Sequence, residues 1–153
     1  MTDLFDDIVA SVKKKCDELL ASPKHKIGTL PTKIPNAGVY VFSEAGSHLY
    51  VGRTNSLRKR LQYHTRNNHN QATFAFLLAR HQTGSLKASY QPKGSRQDLL
   101  TNPEFRTAFE AARVRIKAMD IQFIEESDPV RQTILELLAA LRTNARYNDF
   151  DNH

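Results

Sequence analysis

The stretch that decides the fold is Gly38-Val39-Tyr40-Val41-Phe42, then the turn-rich Ser43-Glu44-Ala45-Gly46-Ser47, then His48-Leu49-Tyr50-Val51-Gly52. Two short runs rich in β-branched and aromatic residues flank a segment holding a glycine and two serines, the pattern of a β-hairpin. Directly beyond lies Arg53-Thr54-Asn55-Ser56-Leu57-Arg58-Lys59-Arg60-Leu61-Gln62-Tyr63-His64. Leu57 and Leu61 are four apart and predict the inward face of a short helix, with Thr54 or Asn55 as its cap. Arg60 and His64 are also four apart and so share a face.

Working outward, residues 3–21 predict an amphipathic helix, with Leu4, Ile8, Val12 and Leu19 or Leu20 at helical spacing, ended by Ser22-Pro23. Residues 27–37, with Pro31 and Pro35, read as a linker into the hairpin. Phe74, Leu77 and Leu78 predict a helix over 70–84, closed by Gly84. Asn102-Pro103-Glu104 is a helix start, an N-cap followed by Pro at the first helical position, and that helix is expected to run to about Ala112. Residues 113–125 alternate as Val114, Ile116, Ala118 and then Met119, Ile121, Phe123, which predicts a strand with a bulge near Ala118-Met119. Asp128-Pro129 opens a last helix whose expected buried stripe is Val130, Ile134, Leu137, Leu138 and Leu141. Residues 147–150 are expected to pack back as a short extended tail. The fold class is α+β: a small three-stranded antiparallel sheet flanked by helices, with an N-terminal helical extension over 1–30 and a helical insertion over 65–112. At 153 residues the simplest organisation is one domain.

Composition narrows the function. Twenty-two Lys and Arg against sixteen Asp and Glu give a net charge of +6, and their distribution is uneven. From Ala45 to Gln97 there is no acidic residue, while Arg53, Arg58, Lys59, Arg60, Arg66, Arg80, Lys87, Lys93 and Arg96 all fall there. A field of one sign over a third of the chain attracts polyanions, and that segment is expected to form one cationic face. The single cysteine, Cys16, excludes an intramolecular disulfide and a cysteine-based zinc site. No apolar run approaches the ~20 residues of a membrane span. The acidic N-terminus lacks the basic and apolar regions of a signal peptide. The expectation is a soluble, cytoplasmic protein without membrane partners.

Gly38-Val39-Tyr40 paired with Tyr50-Val51-Gly52 resembles the signature of the GIY-YIG nuclease family, with Val in place of Ile in both halves. Arg60 stands ten positions beyond Tyr50, where the family has an arginine, and His64 stands four further, where many members have a tyrosine or histidine. The family's glutamate on a later helix matches Glu136, and its asparagine matches Asn148, twelve residues on. The resemblance is tight over 38–64 and looser over 116–148. On this basis residues 113–150 are expected to supply the third strand and a metal-site helix.

The resemblance implies hydrolysis of a phosphodiester in DNA, with RNA not excluded as a partner. Tyr40 would deprotonate a water nucleophile, Tyr50 would orient the phosphate, and Arg60 would stabilise the charge on a nonbridging oxygen. Mg²⁺, with Mn²⁺ as a possible substitute, would sit on Glu136. Glu110, Glu125 and Glu126 are rival ligands, Glu126 foremost because it ends a strand. A free phenol with a pKa of about 10 is roughly 0.3% ionised at pH 7.5, so Tyr40 needs Arg53, Arg60 and the metal nearby, and His64 to receive its proton. Gly52, Arg53, Arg58, Lys59, Arg66 and Asn148 are the expected nucleic-acid contacts. A dimer or a recognition partner is possible. The alternative reading is a nucleic-acid-binding protein that keeps this scaffold and cleaves nothing.

Overall fold

The computed structural model describes residues 3–68, 72–84, 99 and 101–148. The backbone divides into two compact units, one of residues up to 59 with those from 119 onward, the other of residues 60–118.

The first unit contains the sheet. Strand β1 (Gly38–Glu44) pairs antiparallel with β2 (Ser47–Thr54) and with β3 (Asp120–Glu125), giving the order β2-β1-β3. The hairpin expected from the sequence is therefore present. Its turn is the two residues Ala45 and Gly46, both at positive φ (51° and 81°), as a tight hairpin turn requires. Opposed residues share a face, so Val39, Val41 and Val51 point one way and Tyr40, Phe42, Tyr50 and Gly52 the other.

Helices α1 (Leu4–Ala21) and α5 (Pro129–Thr143) cover the valine face. Asp3 caps α1 by accepting the Asp6 N–H at 2.8 Å, and Asp128 caps α5 by accepting the Arg131 N–H at 3.1 Å. The core there is Val12, Cys16, Leu19, Val39, Val41, Val51, Leu135, Ala139 and Ala140. Each fully buried aliphatic side chain of this set contributes about 1.5–3 kcal/mol. Leu4, expected inside, is 75% exposed, because the packed stripe of α1 begins further along the helix.

The buried stripe of α5 also differs from the expected one. Val130, Leu137 and Leu141 are exposed, and the side facing the sheet is Gln132, Leu135, Ala139 and Ala140. Small alanines let the helix approach closely to the valines; Ile134 and Leu138 pack partly buried against this core as expected, and Val130, Leu137 and Leu141 are turned outward. That rotation carries Glu136 toward the sheet, one turn along from Gln132.

Helix α2 (Leu57–Tyr63) begins in the first unit and ends in the second. Neither Thr54 nor Asn55 caps it: Thr54 Oγ1 accepts the Ser56 N–H at 3.0 Å, and the Leu57 N–H donates to the Asn36 carbonyl at 2.7 Å. The linker thus supplies the cap.

The second unit pairs α3 (Thr73–Thr83), closed by left-handed Gly84, with α4 (Pro103–Lys117). Asn102 caps α4 by accepting the Glu104 and Phe105 N–H groups. Phe76 packs on Phe105 and Phe109, with ring centroids 5.1 and 6.3 Å away. The strand expected from Arg113 does not start there. Helix α4 continues to Lys117, because Phe105, Phe109, Ala112 and Ile116 form one buried helical stripe, and β3 begins only at Asp120 with no bulge at Ala118-Met119. Of the expected cationic face, Lys87, Lys93 and Arg96 lie outside the described residues. Arg80 is buried, its guanidinium 5.2 Å from the centre of the Phe76 ring.

Candidate active site

In the first unit the signature residues meet across the β1–β2 pair. Tyr40 stands opposite Gly52 and is buried, whereas Tyr50, opposite Phe42, is half-buried. A Cβ on Gly52 would come well within 3.0 Å of the Tyr40 ring and hydroxyl. The phenol therefore lies directly over bare backbone, and only glycine leaves room for it. Gly38 is required for a different reason. A Cβ there would collide with the Ile124 carbonyl of β3 and touch Leu57 at 3.1 Å. One signature glycine lets the strands and α2 close up, and the other seats the tyrosine.

Next to Gly52 on β2 comes Arg53, whose Nε lies 3.4 Å from the Glu136 carboxylate of α5. Glu136 is half-buried; burial pushes its carboxyl up, and the Arg53 guanidinium offsets part of that rise. A carboxylate drawn from water toward a single, largely exposed cation retains a demand for positive charge. Glu126, the rival ligand, has that demand met. It accepts from Lys15 at 3.0 Å, from Arg131 at 3.1 Å and from the Asp128 N–H. Burial alone would raise its carboxyl, and those donors more than reverse the effect, leaving it below the ordinary carboxylate value. Glu110 pairs with Arg113, and Glu125 is an exposed end-of-strand residue.

Gln132 went unnoticed in the sequence. Its buried amide donates to the Glu126 carbonyl at 2.5 Å and to Asn55 Oδ1 at 3.1 Å, tying α5 to the end of β2. Its position one helical turn before Glu136 was the available signal. Asn148 also serves β2. Its Oδ1 accepts the Val51 N–H at 2.8 Å and its Nδ2 donates to the Val51 carbonyl at 2.9 Å. With the Tyr147 N–H donating to the Leu49 carbonyl, the tail packs back on the open edge of β2, but Arg146 and Tyr147 form a turn where an extended segment is expected from the sequence, and residues 149 and 150 lie outside the described residues. Asn148 thereby fixes the strand between Tyr50 and Gly52. Arg58 is likewise engaged, donating to the Pro31 and Thr32 carbonyls, while Lys59 is exposed.

In the second unit, Arg60 is half-buried with its Nη2 3.3 Å from Thr73 Oγ1. Arg66 is exposed and lies over the Tyr63 ring at 4.4 Å. His64 is fully buried, edge-on to Phe74 at 6.4 Å. Burial, and then the Arg60 guanidinium, push its imidazole down to about 3. A group so reluctant to charge is neutral at physiological pH and a weak acceptor for the phenol's proton. Between about pH 6.5 and pH 3 the unfolded chain binds a proton at His64 that the folded chain does not. Stability is therefore complete above that window and falls as pH drops through it. The expected loss between pH 8 and pH 5 is about 2 kcal/mol from this group. Urea unfolding of the wild type and of His64→Gln across that range should show a steeper decline in the wild type. Identical pH profiles would mean that His64 is not the source.

Among the described residues no cluster of three or more His, Cys, Asp or Glu could hold a metal. A single carboxylate suits Mg²⁺, which keeps most of its water and shares its remaining positions with substrate phosphate. Glu136 fits that requirement. Among the described residues no helix is long and apolar enough to cross a membrane.

The model of the GIY-YIG catalytic domain matches residues 36–97. Over that segment the chain is similar to the GIY-YIG family. That segment contains both signature triplets, Arg60 and His64, and a GIY-YIG domain carries nuclease-type function acting on nucleic acid. No curated protein and no solved structure matches the chain. Glu136 and Asn148 lie beyond the matched segment and stand on their contacts with β2.

Proposed function

We propose that this protein is a metal-dependent endonuclease that hydrolyses phosphodiester bonds in DNA. The observation that carries the reading is the β1–β2 pair, in which Tyr40 of β1 stands opposite Gly52 of β2. A phenol seated over Gly52 is followed at the next residue by a guanidinium bound to a half-buried carboxylate. Phenol, guanidinium and carboxylate are the groups that deprotonation of water, phosphate positioning and cation binding require.

Tyr40 takes the proton of the attacking water. Tyr50 orients the phosphate, and Gly52 lets the substrate approach the backbone. Arg60, ten residues past Tyr50, would stabilise the charge that develops on a nonbridging oxygen. Arg53 keeps Glu136 ionised and in place. Mg²⁺ or Mn²⁺ held by Glu136 would supply positive charge to the scissile phosphate and leaving oxygen. His64, kept neutral, packs the end of α2 against Phe74 of α3. Lys59 and Arg66, both exposed, contact flanking phosphates, and Asn148 holds β2 in register.

Glu136→Gln replaces a carboxylate by a neutral amide of the same shape. Calorimetric titration of Mg²⁺ or Mn²⁺ in the presence of an uncleavable DNA should show affinity at least about tenfold weaker, or 1.4 kcal/mol. Unchanged affinity would contradict the assignment of Glu136.

A further inference from the structure

Within the first unit, the linker and the start of α2 enclose an open groove of about 770 Å³. Its walls include Lys33, Ile34, Pro35 and Asn36 on one side and Arg58 and Lys59 on the other. Among the described residues that line it, none is acidic. Among the described residues, Lys33, Arg58 and Lys59 thus bring three cations to one concave surface. Lys33 and Lys59 are exposed, and the Arg58 guanidinium is anchored by the Pro31 and Thr32 carbonyls.

The groove is built rather than incidental. The Leu57 N–H donates to the Asn36 carbonyl at 2.7 Å, and the Glu126 N–H donates to the Ala37 carbonyl at 3.0 Å. These bonds hold the linker against both α2 and the end of β3. Ile34 and Pro35 are half-buried and give the lining an apolar part beside its cationic one. A volume in this range accommodates a compact polar ligand unit. Cations that meet phosphate, next to apolar surface that meets sugar or base, are the combination a nucleic-acid strand presents in reverse. The groove follows directly in sequence on Tyr50-Val51-Gly52-Arg53, since Asn55 and Ser56 also line it.

We propose that this groove binds the sugar–phosphate backbone of the nucleic-acid substrate to one side of the cleaved bond, with Lys33 as a phosphate contact that the signature does not contain. The inference rests on the nuclease reading for its substrate, but concerns a separate surface. Lys33 acts on affinity and not on the chemical step. Arg58 sets the wall by bonding the linker, and Lys59, which also lines the groove, is a second phosphate contact.

The test is duplex DNA binding by fluorescence anisotropy in EDTA between about 50 and 200 mM salt. Lys33→Gln should lower the slope of log K against log salt by about 0.9, and the Lys33→Gln/Lys59→Gln pair by about 1.8. Lys33→Arg should restore the wild-type slope, which a merely misfolded variant would not predict. An unchanged slope for Lys33→Gln would overturn the groove, as would a loss that Lys33→Arg fails to rescue. Plasmid cleavage in Mg²⁺ separates this inference from the nuclease reading. Cleavage by the wild type with no effect of Lys33 on the slope refutes the groove alone. A reduced slope in a protein that never cleaves supports the groove and refutes the nuclease. A wild type that does not bind DNA at all refutes both.

Discussion

Tyr40→Phe is expected to lower phosphodiester cleavage by about 100- to 10,000-fold, the range for a lost general base, while DNA affinity stays within a few-fold of wild type. The substitution removes one oxygen and keeps the ring, so the edge-to-face contact of Tyr40 with Phe42, at 5.8 Å between centroids, survives. Gly52→Ala provides an independent approach to the same atom. It leaves the hydroxyl in the protein but adds a methyl where the phenol lies, so the ring must move. Both variants should lose activity, the second with the larger cost in stability. Single-turnover cleavage, circular dichroism and anisotropy on the same preparations separate the two. Wild-type rates in Tyr40→Phe would remove the phenol from the mechanism.

Arg60→Ala is expected to cost about 3–4 kcal/mol of transition-state stabilisation, or roughly 100- to 1,000-fold in rate, the usual effect of deleting one donor aimed at developing charge. Its effect on affinity should be far smaller, because Arg53, Lys59 and Arg66 share the work of holding phosphate. Arg60 also bonds Thr73 Oγ1 at 3.3 Å, so thermal unfolding should accompany the kinetics. A rate and an affinity that fall by the same factor would make Arg60 a binding residue only.

Local chemistry explains which parts of this molecule were legible in its sequence. The hairpin was legible because β-branched and aromatic residues flanked a glycine turn. The starts of α4 and α5 were legible because Asn102-Pro103 and Asp128-Pro129 bring both a cap and a preset φ. Gly84 marked the end of α3 in the same way. Errors arose where two periods coincided. Val114, Ile116 and Ala118 alternate like a strand, yet Ile116 belongs to the helical series from Phe105, and Val114 is 67% exposed. The stripe of α5 departs from the expected one because the sheet accepts two alanines and a glutamine beside Leu135, and bulk alone does not set which face is buried.

The site divides along the same line. The Tyr40–Gly52 pairing follows from strand register and was implicit in the two triplets. The depth of His64 and the neutralisation of Glu126 by Lys15 and Arg131 depend on partners remote in sequence, and no local pattern announces them. Asn148 was expected near the site, but its hold on the Val51 backbone is visible only once the tail is seen along β2.

Supercoiled plasmid incubated with the wild-type protein in Mg²⁺, and in parallel in EDTA, tests the central claim most directly. The expected result is conversion to open-circular and linear forms in Mg²⁺ and none in EDTA. Plasmid that stays supercoiled in Mg²⁺, under conditions where a mobility shift shows the protein bound to it, would contradict the nuclease account.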